Sequence, residues 1–389
     1  MGRVCQPPVS TRVRTALATA CAVLLLGVAA YAQTPSQPPV PDEPPPSPEP
    51  APIDVFSTMR IRGYADVGFG NPLQEKLPVG GLQEATASFQ IADLHLFITT
   101  RLSDEWSFLS EVLITSDFSN ETTVELDRLL VQYDPSKYFR VAVGKFNSAV
   151  GYYTNQFHRA KFYQTATGRP VMFTDDDNGG VLPVHQVGVT VHGQIPSGSL
   201  GLHYVGEVSN GRGFFATGID QNFVDSNNGK AVNGGLYLQP DALPALDAGF
   251  TVYRDTLEPL GHGRVAETIT TLHGVWLTPG FEFLNEIAFI NHDPESGGAQ
   301  ETSTTAYTQL SRRFGVIRPY ARYDYQDVPP TDPIFGLEES TVPVGIRKAI
   351  SGGVNVAIKT FAVFKVQVDR ALERGVWANG AHVQLAVAF

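Results

Sequence analysis

The sequence predicts an all-β protein, a transmembrane antiparallel β-barrel of about 16 strands with a long loop folded inward after strand 5. Three observations predict it. Apolar and polar residues alternate with period two in segment after segment from Ile53 to the C-terminus. The polar face of many segments carries full charges, which suit a wet interior and neither a lipid-facing surface nor a sandwich core. The connections alternate between short turns and long loops, as they do when strands cross a bilayer up and down.

Taken in order, the chain begins with residues 1–32, which read as a signal peptide. Arg3, Arg12 and Arg14 form its basic region, Ala16 to Ala30 its apolar core, and Ala30-Tyr31-Ala32 an A-x-A cleavage site. The apolar run is short for a membrane anchor. Both cysteines, Cys5 and Cys21, lie in this segment, so the mature chain has no disulfide to stabilise it. Removing the segment takes the formal charge from −11 to −14, which disfavours nucleic acid as a partner. Residues 33–52 hold ten prolines and read as an extended periplasmic tail, up to about 60 Å long. The barrel is expected over residues 53–389.

In the first strand Met59, Ile61, Ala65, Val67 and Phe69 oppose Arg60, Arg62, Tyr64 and Asp66. Later segments repeat the pattern, among them Val187 to Val191, Ile317 to Tyr325, Ile350 to Ile358 and Phe364 to Val368. Short turns are expected near Ser103-Asp104, Asp134 to Ser136, Pro196 to Gly198, Pro279-Gly280, Phe314-Gly315 and Lys359-Thr360. Long loops are expected at Asn71 to Glu84, Val150 to His185, Asn210 to Lys230, Glu258 to Arg264, Asp293 to Glu301 and Asp327 to Thr341. Asp117 to Asn120 is short for its side, and Pro240 to Pro244 long. Aromatics gather at the short turns, as an interfacial girdle requires. Between Leu126 and Leu129 the alternation breaks, which a β-bulge explains.

The last strand ends on Phe389, with Val383, Leu385 and Val387 on its apolar side. This resembles the closing strand of Gram-negative outer-membrane barrels, in which a C-terminal Phe is the signal read by the barrel assembly machinery. The stretch GKFNSAVGYYTNQF (Gly144 to Phe157) resembles a segment of the phosphate-selective porin O/P group, and YVGEVSNGRG (Tyr204 to Gly213) resembles another. The resemblance implies an outer-membrane porin that forms an ion channel or passes small hydrophilic solutes, surrounded by outer-membrane lipid and lipopolysaccharide. It also implies a homotrimer. The sequence departs from that group in its long loop, where Arg159, Lys161 and Arg169 are followed by Asp175, Asp176 and Asp177. These six are the candidate pore constriction. Arg60, Arg62, Arg318, Arg322, Arg347 and Lys365 are the candidate pore wall, facing a mixed set of acids that includes Asp66, Glu282, Glu286, Asp324 and Asp369.

No nucleophile elbow, zincin, Walker or dinucleotide motif occurs, so no enzyme activity and no cofactor are expected. The run Asp175 to Gly180 lacks EF-hand spacing, and no histidine sits at a metal-motif spacing, so no metal is expected either. Passive transport across the outer membrane is the leading expectation. A structural or surface-interaction barrel with a plugged lumen is the alternative, and an outer-membrane hydrolase the third.

Overall fold

The computed structural model describes residues 58–71, 87–116, 122–157, 161–174, 180–215, 218–373 and 375–389. The strands are β1 (Arg60–Gly70), β2 (Ser88–Arg101), β3 (Trp106–Ser116), β4 (Thr122–Ser136), β5 (Phe139–Asn147), β6 (His185–Gln194), β7 (Leu202–Ser209), β8 (Arg212–Phe215) and β9 (Gly218–Gln221). They continue as β10 (Ala231–Leu238), β11 (Leu246–Leu257), β12 (Val265–Thr278), β13 (Phe281–Pro294), β14 (Glu301–Arg312), β15 (Ile317–Val328), β16 (Gly345–Lys359), β17 (Ala362–Glu373) and β18 (Val376–Ala388). One helical turn, α1 (Tyr153–Phe157), follows β5.

β1 to β7 and β10 to β18 close a 16-strand antiparallel barrel, while β8 and β9 form a separate hairpin between β7 and β10. Closure gives every barrel strand two partners, so no backbone edge of the barrel is left to lipid. The strands form because their side chains alternate between two solvents. Along β13, Glu282, Leu284, Glu286, Ala288, Ile290 and His292 are buried, and Phe281, Phe283 and Phe289 between them are exposed. The outer surface is correspondingly apolar, with Ile61, Phe69, Phe89, Val124 and Val143 among its exposed side chains. Such a surface is stable only against hydrocarbon.

The seam joins β1 to β18, in register from Tyr64 with Ala388 to Gly70 with His382. Phe389 extends it: its N–H donates to the Gly63 carbonyl at 2.9 Å and its carbonyl accepts from the Gly63 N–H at 2.8 Å. The Phe389 ring lies over Gly63, where a Cβ would come within 2.2 Å of it, so a larger residue there displaces the ring.

The long and short connections alternate around the rim as the sequence implies. On the short-turn side, exposed Trp106, Tyr138, Phe139, Phe281, Phe314 and Phe361 supply the aromatic girdle. On the other side, the β17 to β18 connection is unexpectedly only two residues long. The break in alternation within β4 is a bulge: the register with β3 shifts between Glu111 and Val112, opposite Arg128 and Leu126. Residues 1–57, much of the first long loop and residues 117–121 lie outside the described residues.

Candidate functional site

Sixteen strands enclose more space than their own side chains fill. Much of that space is taken by the chain between β5 and β6. Its segments 148–157 and 161–174 cross the barrel interior, held by inward-facing side chains of the wall.

The anchors recur on strand after strand. On β7, Glu207 accepts from the Ala149 N–H at 3.0 and 3.2 Å. On β13, the Glu286 carboxylate accepts from the N–H groups of Tyr152 (2.5 Å) and Tyr153 (2.9 Å), and from the Tyr307 hydroxyl (2.7 Å). Thr165 donates to Glu282 at 3.0 Å. On β15, Asp324 accepts from the Val171 N–H at 2.9 Å, and Arg322 donates to the Gly168 carbonyl at 2.7 Å. On β17, Gln367 accepts from the Thr167 N–H at 3.1 Å. The Lys365 ammonium donates to the carbonyls of Lys161 (2.5 Å) and Ala166 (2.9 Å). An irregular backbone inside a barrel has many orphan amides and carbonyls; here the charged wall residues satisfy them.

Apolar packing reinforces the same side. Val150, Tyr153, Met172, Phe173, Val181 and Leu182 form one core with Leu284, Ala288 and Ile290 of β13 and Tyr307 of β14. The Tyr153 ring lies parallel to that of Phe173, with centroids 5.8 Å apart. Burial pushes the Tyr153 hydroxyl well above the usual phenol range.

A second group ties down the long-loop end. Arg212, in the β8–β9 hairpin, pairs with Glu267 of β12, and its N–H donates to Asp255 of β11 at 2.8 Å. The His292 ring nitrogens lie 3.0 Å from Glu267 and 2.7 Å from Asp332, a residue of the 329–344 loop. Burial pushes the Asp332 carboxyl up. His292 and the N–H groups of Phe335 and Ile334 more than reverse this, leaving it below the usual carboxylate range.

The same core continues onto the opposite wall through Ala231 of β10, Tyr253 and Leu257 of β11, and Val265, Ile269 and Val275 of β12, but it does not fill that side. A cavity of about 330 Å³ lies between the α1 region and the inner faces of β4 to β7 and β10 to β12. Among its lining residues are Arg128, Gln132, Gln156, His192, Glu207, Tyr237, Asp247 and His273.

The sequence-selected residues fall in different places. Lys161 and Arg169 are buried within the loop, and Arg169 donates to the Phe173 carbonyl at 3.1 Å. Arg159, Asp175, Asp176 and Asp177 lie outside the described residues. Arg322 and Lys365 are fully buried loop anchors, and none of the wall cations selected from sequence lines the 330 Å³ cavity. Arg347 pairs with Glu373 at 3.3 Å, and Arg318 with Glu282 at 3.5 Å. Arg60 and Arg62 are exposed near the short-turn rim. Sequence reasoning missed the cavity residues Arg128, Gln132, Tyr237 and Asp247, whose only signal was their place on the polar side of the alternation.

One histidine cluster has the composition of a metal site: His95, Glu111 and Asp127 each offer an atom within 4.8 Å of the others. Arg128 already donates to Glu111 at 2.6 Å, and His185 lies 3.2 Å from Asp127. The cluster therefore reads as an ion-pair network.

No protein-family profile and no curated protein matches the chain. Solved structures do. An anion-selective porin from Comamonas acidovorans superposes with a TM-score of 0.61 at 12% identity, over 85% of this chain and 99% of that one. The outer-membrane channel DcaP of Acinetobacter baumannii gives 0.57 at 10% identity, over 85% and 97%. Salmonella typhi OmpF, solved with daunomycin, gives 0.57 at 12%, also over 85% and 97%. The chain has the porin-like fold of an outer-membrane barrel.

Proposed function

We propose that this protein is a passive porin-like channel of the outer membrane, passing small hydrophilic solutes or ions down their gradients. The observation that carries this reading is the asymmetry of the lumen. The β5–β6 segment makes most of its wall hydrogen bonds to strands from β13 round to β18, with Glu207 of β7 holding its start, and the cavity lies between the segment and the wall of β4 to β12. A segment positioned this way acts as a filter, and the opposite wall selects what passes. No covalent step is involved.

The finer readings rest on motif resemblance. A phosphate-selective channel needs cations on the open passage. Here Arg322 and Lys365 donate to loop carbonyls, and the only described Arg or Lys among the cavity-lining residues, Arg128, is bound to Glu111. General passage is therefore favoured over anion selectivity. Phe389 is assigned as the end recognised by the assembly machinery, and a homotrimer in a lipopolysaccharide-containing leaflet follows from the same resemblance.

A plugged, non-conducting barrel is favoured by a different observation, the apolar core that the loop shares with β13 and the 329–344 loop through Phe173, Leu182, Ile290 and Phe335. Planar-bilayer recording of the purified protein separates the two. Discrete conductance steps support the channel; a silent bilayer containing folded barrel supports the plug.

A further inference from the structure

The cavity's polar lining is mostly neutral, and the ions on it are already engaged. Arg128 donates to Glu111 at 2.6 Å. Asp247 accepts from Gln239 at 2.8 Å and lies 3.0 Å from the His273 Nε2. Glu207 accepts from Asn233 at 2.7 Å and from the Ala149 N–H. A charged solute entering here would lose hydration without gaining a free counter-charge from these groups.

Two buried lining atoms lack a partner within the protein: the Asn147 side-chain oxygen on β5 and His273 Nδ1 on β12. With Nε2 directed at the Asp247 carboxylate, Nδ1 is the ring nitrogen left to a solute, an acceptor in the neutral tautomer and a donor in the imidazolium. A hydroxyl, donor and acceptor at once, can satisfy both orphans, and buried polar groups in folded proteins are almost always satisfied. Aromatic surface lies beside them. The Tyr152 ring sits 5.3 Å from that of His273, and Tyr237 stacks on His203 at 5.0 Å with the planes 9° apart. Apolar ring faces combined with a few directed neutral hydrogen-bonding groups form a recognisable kind of small-molecule site.

We infer that this cavity is a binding subsite for uncharged, hydroxyl-rich solutes of the sugar or polyol class. The inference rests on the channel reading, since it names what the open side of the lumen holds in transit. Hydroxyls donate to the Asn147 side-chain oxygen and pair with His273 Nδ1, while the C–H face of the ring lies on Tyr152 or Tyr237.

The test uses the full protein in a planar bilayer, with glucose or maltose added on one side. Neutral sugars should reduce the ion current saturably at millimolar concentration, and gluconate and glucosamine should act at least tenfold more weakly. His273→Ala should weaken the block at least fivefold. Tyr237→Phe, which keeps the ring and guards against misfolding, should retain most of it. Conductance steps with no sugar block, or with equal block by gluconate, overturn the inference and leave the channel standing. If no steps are seen, the channel reading falls, and calorimetry of maltose with the detergent-solubilised barrel decides binding by itself: measurable heats of saturable binding support the subsite, and their absence overturns it.

Discussion

From β13 round to β18 the inner wall is largely committed to the loop, whereas part of the wall from β4 to β12 borders a cavity. The committed side presents long charged side chains, such as Arg322 and Lys365, that are fully buried and end on loop carbonyls. The bordering side presents Gln132, Thr190, Tyr237 and His273. Charge inside this barrel thus serves two purposes. Opposite the cavity it supplies strong hydrogen bonds to an irregular backbone; beside the cavity Glu207 does the same for Ala149, while Arg128 and Asp247 are engaged by neighbouring wall side chains.

The largest test of this contrast is removal of residues 162–174. Without the segment that occupies the lumen, single-channel conductance should rise severalfold; unchanged conductance would mean that ions never passed beside it. Next in size is Glu286→Ala, which strands two loop amides and the Tyr307 hydroxyl. It should lower stability by about 3 kcal/mol, measured by denaturant unfolding in detergent, because buried donors are left unsatisfied. Lys365→Met removes the donor to two carbonyls and should increase open-channel current noise, with a loss of about 1–2 kcal/mol. On the other wall, Gln132→Ala should shift solute permeability while changing stability by under about 0.5 kcal/mol. An equal stability loss on both walls would erase the distinction.

The smallest effect is a pH dependence at the long-loop rim. The Asp332 carboxyl is held below its usual range, so the stability it contributes is present above the unfolded value, about 4. That contribution is lost as pH falls through the lower, folded value. Protease susceptibility of the 329–344 loop should therefore rise on acidification below pH 4, and Asp332→Asn should make it pH-independent in that range.

The barrel was legible because period-two alternation and turn spacing are local properties, readable one segment at a time. The strand number, the bulge beside Leu126 and the rim aromatics all followed from them. What lies across the lumen is not local. Glu286 meets Tyr152 from 134 residues away, and no linear spacing encodes that meeting. Polar alternation marks Arg322 as inward-facing, but it cannot tell a side chain that faces water from one that ends on a carbonyl. One signal was available: β13 carries apolar residues on both faces, with Leu284, Ala288 and Ile290 among the charged residues inside and Phe283 and Phe289 outside. Apolar residues on the inner face indicate that the wall is covered there. The β8–β9 hairpin left no such trace, because four-residue strands are too short to show a period.

The anchoring of the β5–β6 segment also sets an order of events. Its partners Glu286, Asp324 and Lys365 belong to strands made well over a hundred residues later in the chain. The segment must wait, with its amides solvated, until the far wall exists, and long-range contacts of this kind form slowly. Seating of the segment therefore depends on β13, β15 and β17 being in place.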